Sequence, residues 1–308
     1  MGMKPRLKIG HLQITDHLIL GITKAKLEKG TEAFRYCDIE TISMMGWNNI
    51  GEAVTNSEID IAFMLAPYAM ELFHSGEKIT LILLSHKAGS IIVANKKANI
   101  QKIEDFKGKT VLIPYHLSVH HMLFDQLLTE KGLETGVGKD VVFETVAPAQ
   151  IPEFIKMDEE GDIGGYIVAE PFGTQVVKAG YGTEISLSKD IWPNHPCCVV
   201  VVRDEIKEKY PDAINELTVS LVKSGLLIDQ KPEIAAKVGS SFLNQKFEVV
   251  HSVLTEPPDR LGTRELKPIL KDLDTIQTYL TDKIDAMSGK IDLEKFVDFQ
   301  FSDAAGAR

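Results

Sequence analysis

Short runs of apolar and β-branched residues alternate with amphipathic stretches along the first two thirds of the chain. Runs at 7–11, 39–42, 59–64, 79–84, 90–94, 110–113, 141–145, 165–168 and 198–202 read as strands. Between them, apolar residues recur at a spacing near 3.6, most clearly Val119, Met122, Leu123, Leu127 and Leu128, which predicts helices. After Val202 the pattern is helical only, at 213–227, 232–242 and 266–287. The alternation predicts an α/β protein whose helical tail packs back onto an existing lobe. The last residues, 302–308, read as frayed.

Two segments are built alike. Glu58, Asp60 and Ile61 lead through an apolar strand to Ala66, Pro67 and Tyr68, and Glu160, Asp162 and Ile163 lead likewise to Glu170, Pro171 and Phe172. The spacings are unequal, so this is likeness of construction and not a sequence repeat. Two lobes of similar build follow, and 308 residues suit two lobes of about 150 each.

Composition narrows the function. With 44% hydrophobic and 25% charged residues the chain is compact, and its longest apolar runs fall far short of the ~20 residues of a membrane span. A net charge of −10 without clustered Lys or Arg argues against a nucleic-acid partner. It does not argue against a small anion, which a few backbone N–H groups at a helix start can hold. Cys37, Cys197 and Cys198 give no disulfide framework and read as small buried hydrophobes. Residues 1–9 show no apolar export segment. An extracytoplasmic location would need a trimmed signal peptide, and a true start at Met1 would mean the cytoplasm.

Candidate chemistry gathers at the strand-to-helix turns, where open α/β sheets bind ligands. The first turn offers Asp16, expected to cap the following helix, and His17. The next offers Trp47 and Asn48, with Asn48 the expected cap. Ala66 and Pro67 open a third helix, and Ser118 caps the helix that carries His120. Gln150 and Glu170 follow later strands, and Lys87 lies at another turn. Any one such turn is explained by stability alone, but Trp47 beside two asparagines is awkward as core and suits a pocket wall whose indole N–H bonds a solute. His116, His120 and His121 lack a second set of ligands, so neither a metal nor any cofactor is expected. No nucleophile elbow or Walker loop is present to support an enzyme.

Gly10, His11, Leu12 with Thr15 and Asp16, the strand and turn from Asp60 to Pro67, Asp105 to Val111, Gly161 to Gly165 with Glu170 and Pro171, and Asp190 to Pro196 form a set of segments. Together they resemble the solute-binding proteins of nitrate, sulfonate and bicarbonate ABC importers. The resemblance implies a type II periplasmic-binding-protein fold, two α/β lobes joined by a hinge. Lobe I would comprise 1–95 plus 201–308 and lobe II 96–200, with hinges near 94–96 and 200–203. It also implies that Trp47, Asn48, His120 and Gln150 lie near ligand. One departure is that cysteines follow His195 and Pro196 where nitrate and bicarbonate binders tend to carry a lysine. A charge-assisted hydrogen bond worth about 1.5–3 kcal/mol is then missing, which points to a larger or less charged solute, or to Lys87 as a substitute.

The expected function is therefore capture of a small anionic solute between the lobes and its delivery to the membrane permease of an ABC importer. The alternatives are a cytoplasmic enzyme of cofactor biosynthesis, or a ligand sensor, on the same fold.

Overall fold

The computed structural model describes residues 4–308. Two five-stranded sheets form the cores of two lobes. In lobe I, β1 (Arg6–His11), β2 (Asp38–Ser43), β3 (Ile61–Leu65), β4 (Ile79–Leu84) and β11 (Cys198–Arg203) take the order β2-β1-β3-β11-β4. In lobe II, β6 (Ser90–Asn95), β7 (Thr110–Ile113), β8 (Val142–Thr145), β9 (Ile163–Ala169) and β10 (Gly182–Leu187) take the order β10-β6-β9-β7-β8. A two-stranded ribbon pairs β5 (Lys87–Ala88) with β12 (Leu261–Gly262).

One strand in each sheet runs against its neighbours: β11 is antiparallel to β3 and β4, and β6 is antiparallel to β9 and β10. Both are the strands by which the chain arrives from the other lobe. They start at the crevice between the lobes, whereas β1, β2 and β3 and their lobe II counterparts end there. Strands β3, β4 and β6 are buried along their whole length, which explains their unbroken apolar sequence, because helices cover both sheet faces.

Lobe I carries α1 (Leu18–Glu28), α2 (Trp47–Thr55) and α3 (Ala66–His74), and lobe II carries α4 (Val119–Thr129), α5 (Ile151–Met157), α6 (Phe172–Ala179) and the short α7 (Ser188–Ile191). The tail adds α8 (Asp204–Lys209), α9 (Pro211–Gln230), α10 (Pro232–Phe242), α11 (Phe247–Thr255), α12 (Leu270–Asp282), α13 (Leu293–Phe296) and α14 (Phe299–Ala304). Helices α9 and α10 pack on α1, and α14 packs on α9 and β4, so the tail does return to lobe I. It also straps lobe II, through α11 against α6 and α12 against α4.

Four expectations change. The lobe crossings lie at 85–89 and 192–197, not at 94–96 and 200–203, because Ser90–Asn95 is a fully buried lobe II strand and Cys198–Arg203 a lobe I strand. The tail is not purely helical, since β12 pairs with β5. Residues 302–308 are not frayed: Ser302 is buried, and the Lys267 N–H donates to the Arg308 carbonyl at 2.9 Å. Ser118 caps α4 as expected, its Oγ accepting from the His121 N–H at 3.1 Å, but Asp16 and Asn48 cap nothing. Gly46 precedes α2, with Asn48 exposed inside it, and His17 precedes α1.

Candidate functional site

The crevice is closed by contacts from every side. The Thr15 N–H and Oγ1 both donate to the Glu170 carbonyl, at 2.8 and 2.9 Å. The rings of Tyr68 and Tyr115 stand 4.8 Å apart across it. From the tail, Tyr279 Oη donates to Asp125 Oδ2 of α4 at 2.8 Å. At the start of α2, a Cβ on Gly46 would lie 3.8 Å from that of Ala147 in lobe II.

On the lobe I wall two buried rings present nitrogen donors. His17 follows β1 and Trp47 opens α2, and their ring centres are 5.9 Å apart. His17 Nδ1 lies 3.0 Å from the Leu12 nitrogen and 3.2 Å from the Leu12 carbonyl; in the tautomer in which Nδ1 accepts from the Leu12 N–H, the proton of the neutral ring sits on Nε2. Burial holds His17 well below the usual histidine range, so the ring is neutral. His17 Nε2 and Trp47 Nε1 are buried and have no protein partner. Burying an N–H without a partner is costly, so two such donors side by side suit an acceptor brought by a ligand.

At the hinge end, residues distant in sequence converge. Asp16 Oδ2 lies 3.0 Å from His86 Nε2, and Cys198 Sγ donates to Asp16 Oδ2 at 3.8 Å. One ligating atom each from Asp16, His86, Cys197 and Cys198 falls within 4.8 Å of the others, and all four residues are buried. His120 sets Nδ1 4.0 Å from Cys197 Sγ, while its Nε2 is 2.9 Å from Ser90 Oγ. Burial alone would lower His86, but the Asp16 carboxylate and Cys197 outweigh it and lift its pKa to about 10. Burial raises Asp16 against the pull of His86, and whichever partner holds their shared proton, the pair is neutral overall. A hydrogen bond from Cys198, helped by His120 and His86, holds the Cys197 thiol well below its ordinary range, and burial pushes Cys198 well above it.

A family model described as the NMT1-like family matches residues 2–241. The chain belongs to the NMT1-like family. This NMT1-like chain is 28% identical over 226 residues to the nitrate import ATP-binding protein NrtC of Synechocystis sp., a match covering 68% of this chain and 32% of that protein. The chain therefore spans about a third of the length of that relative. Among solved structures it is similar to the ligand binding component of an ABC-type import system from Staphylococcus aureus with zinc bound, with TM-score 0.87, 23% identity, and 98% and 99% of the two chains covered. The periplasmic nitrate-binding protein NrtA from Synechocystis gives TM-score 0.86 at 17% identity, with 98% and 88% covered. The desulfurization enzyme DSZB shares the fold at TM-score 0.69 and 12% identity, with 98% and 99% covered. The type II periplasmic-binding-protein fold and the resemblance to nitrate- and sulfonate-type binding proteins are thus borne out.

Within this NMT1-like chain the expected site residues divide into two groups. Asp16, His17, Trp47 and His120 are buried at the crevice. The others are engaged elsewhere or face solvent. The Ala66 N–H at the start of α3 donates to the Cys197 carbonyl at 2.9 Å, and Pro67 has no N–H to offer. Lys87 reaches Glu265 at 3.4 Å. Ser118 Oγ donates to the Tyr115 carbonyl besides capping α4. Asn48 and Gln150 are exposed. Glu170 is buried, but Arg260 and the Thr174 hydroxyl bond its Oε1 at 2.7 Å each, and the Thr174 N–H bonds its Oε2 at 2.9 Å. Sequence reading missed His86, Cys197, Cys198 and Arg260. The cysteines are buried as expected, but as members of a polar cluster and not as apolar filler. The only signal was the pair of adjacent cysteines directly after His195 and Pro196.

Proposed function

We propose that the chain is the solute-binding component of an ABC importer and holds a small anion in the crevice between its lobes. The observation that carries this reading is the adjacent, buried and unpartnered N–H pair of His17 and Trp47. Neutral donors can bind an oxyanion without the desolvation cost of a buried cation. The nitrate-related relatives support the solute class, and delivery to a membrane permease outside the cytoplasm follows from that role.

Calorimetric titration with nitrate, bicarbonate and a short alkanesulfonate tests it, and the titrated anion should be recovered unchanged, as it would not be from an enzyme. Trp47→Phe keeps the ring and removes one donor. It should weaken the best-bound anion by about ten- to a hundredfold, the equivalent of one hydrogen bond of about 1.5–3 kcal/mol to a charged acceptor. Trp192→Phe, at the only other tryptophan, should leave affinity unchanged. Equal binding by Trp47→Phe and wild type would move the site away from this wall.

A further inference from the structure

We propose that Asp16, His86, Cys197 and Cys198 form a site for one transition-metal ion of the zinc class at the hinge end of the crevice. The proposal goes beyond the anion reading, since it uses different side chains.

The donor set is two sulfurs, one imidazole nitrogen and one carboxylate oxygen, all from buried residues. That mixture suits a borderline-soft ion and is poorly matched to calcium or magnesium, which take oxygen ligands. Tetrahedral coordination at zinc distances would set such atoms about 3.3–3.8 Å apart. Asp16 Oδ2 is already 3.8 Å from Cys198 Sγ and 3.0 Å from His86 Nε2. No two atoms of the set are more than 4.8 Å apart, so inward movements of about an ångström or less complete the shell.

The surroundings are built to hold these side chains. Asp16 Oδ1 and His86 Nδ1 are buried without a protein partner, and both face Gly89, where a Cβ would lie 3.2 Å from each. Gly89 has φ +88°, so the lobe crossing passes beside the cluster at a position that favours glycine. His120, its far nitrogen beside Ser90, stands next to Cys197 as an outer partner. The four ligands come from the first strand-to-helix turn, the first lobe crossing, the end of the second crossing and the start of β11. A bound ion would release the proton shared by Asp16 and His86, together with that of the Cys198 thiol, to solvent.

Cobalt(II) is the probe, added to the full chain kept reduced with a phosphine. One equivalent should give an intense thiolate-to-cobalt charge-transfer band and tetrahedral d–d absorption, and one equivalent of zinc should abolish both. Cys197→Ser combined with Cys198→Ser should remove the charge-transfer band and lower zinc affinity at least a hundredfold. Cys37→Ser, at a thiol buried against the Ala213 carbonyl, should leave both unchanged. Trp47→Phe should also retain the band, so that failure of the anion reading and failure of the metal site are told apart. Weak octahedral absorption only, or a charge-transfer band that survives the double substitution, overturns the proposal. If the double variant does not fold, the spectrum of the wild-type protein decides alone.

Discussion

The buried histidines have opposite charge preferences. Burial lowers His11 and His195 to about 4, while Asp16 lifts His86 to about 10. A histidine kept neutral by the fold contributes stability above its unfolded value near 6.5, and loses it as the pH falls toward its folded value. His11 and His195 should therefore steepen acid unfolding between about pH 6.5 and 4, each by about 1.4 kcal/mol per pH unit. His11→Phe keeps the stack on Phe242, now at 4.7 Å between ring centres, and removes one titrating group. Urea unfolding across that range should show its slope reduced by that amount, and an unchanged slope would contradict the assignment. At this scale the sequence was informative at single residues: it singled out Trp47, whose N–H is buried and unpartnered. It was not informative where chemistry needs neighbours: positions 16, 86, 197 and 198 meet only once the lobe I sheet has formed, and no local spacing records their approach.

Arg260 shows how a loop can act as a structural element. It precedes β12 in the tail and reaches across to lobe II, bonding Glu170, Thr174 and Glu184 at 2.7 Å each. Arg260→Leu would leave Glu170 buried beside no cation, at a cost of about 3–5 kcal/mol. Burial already raises Glu170 despite Arg260, and without the guanidinium its carboxyl would rise further. The penalty should be largest at neutral pH and fade as the pH falls through that raised value, which chemical unfolding at pH 7.5 and 5 would show. Elements with strong internal patterns were legible: β4, β7 and α10 fall where apolar spacing put them. Missed were β10, whose residues 183–186 are half-buried or exposed, and the two-residue ribbon strands, which are too short to carry a period. The crossings were misplaced because a strand that changes lobe reads like any other buried strand.

At the scale of the whole molecule, two lobes and a strap give a form held shut by few bonds. Tyr279→Phe removes the contact between α12 and Asp125 and should raise the radius of gyration of the ligand-free protein in small-angle scattering. Adding the bound anion should restore the compact value, and no difference between variant and wild type would remove α12 from closure. The place of β11 has a kinetic consequence. It fills the gap between β3 and β4, so lobe I lacks a central strand until residues 85–197 have been passed. Bringing the ends of an unstructured loop on the order of a hundred residues together costs about 4 kcal/mol in chain entropy. Once that stretch has folded, its two ends are already neighbours, since Lys87 bridges Pro196 and the Ala88 N–H donates to the His195 carbonyl at 2.9 Å. Lobe II should then fold first and deliver β11 to a waiting sheet, with the amides of Ile92 and Ile167 protected in pulse-labelled hydrogen exchange before those of Val200 and Val201.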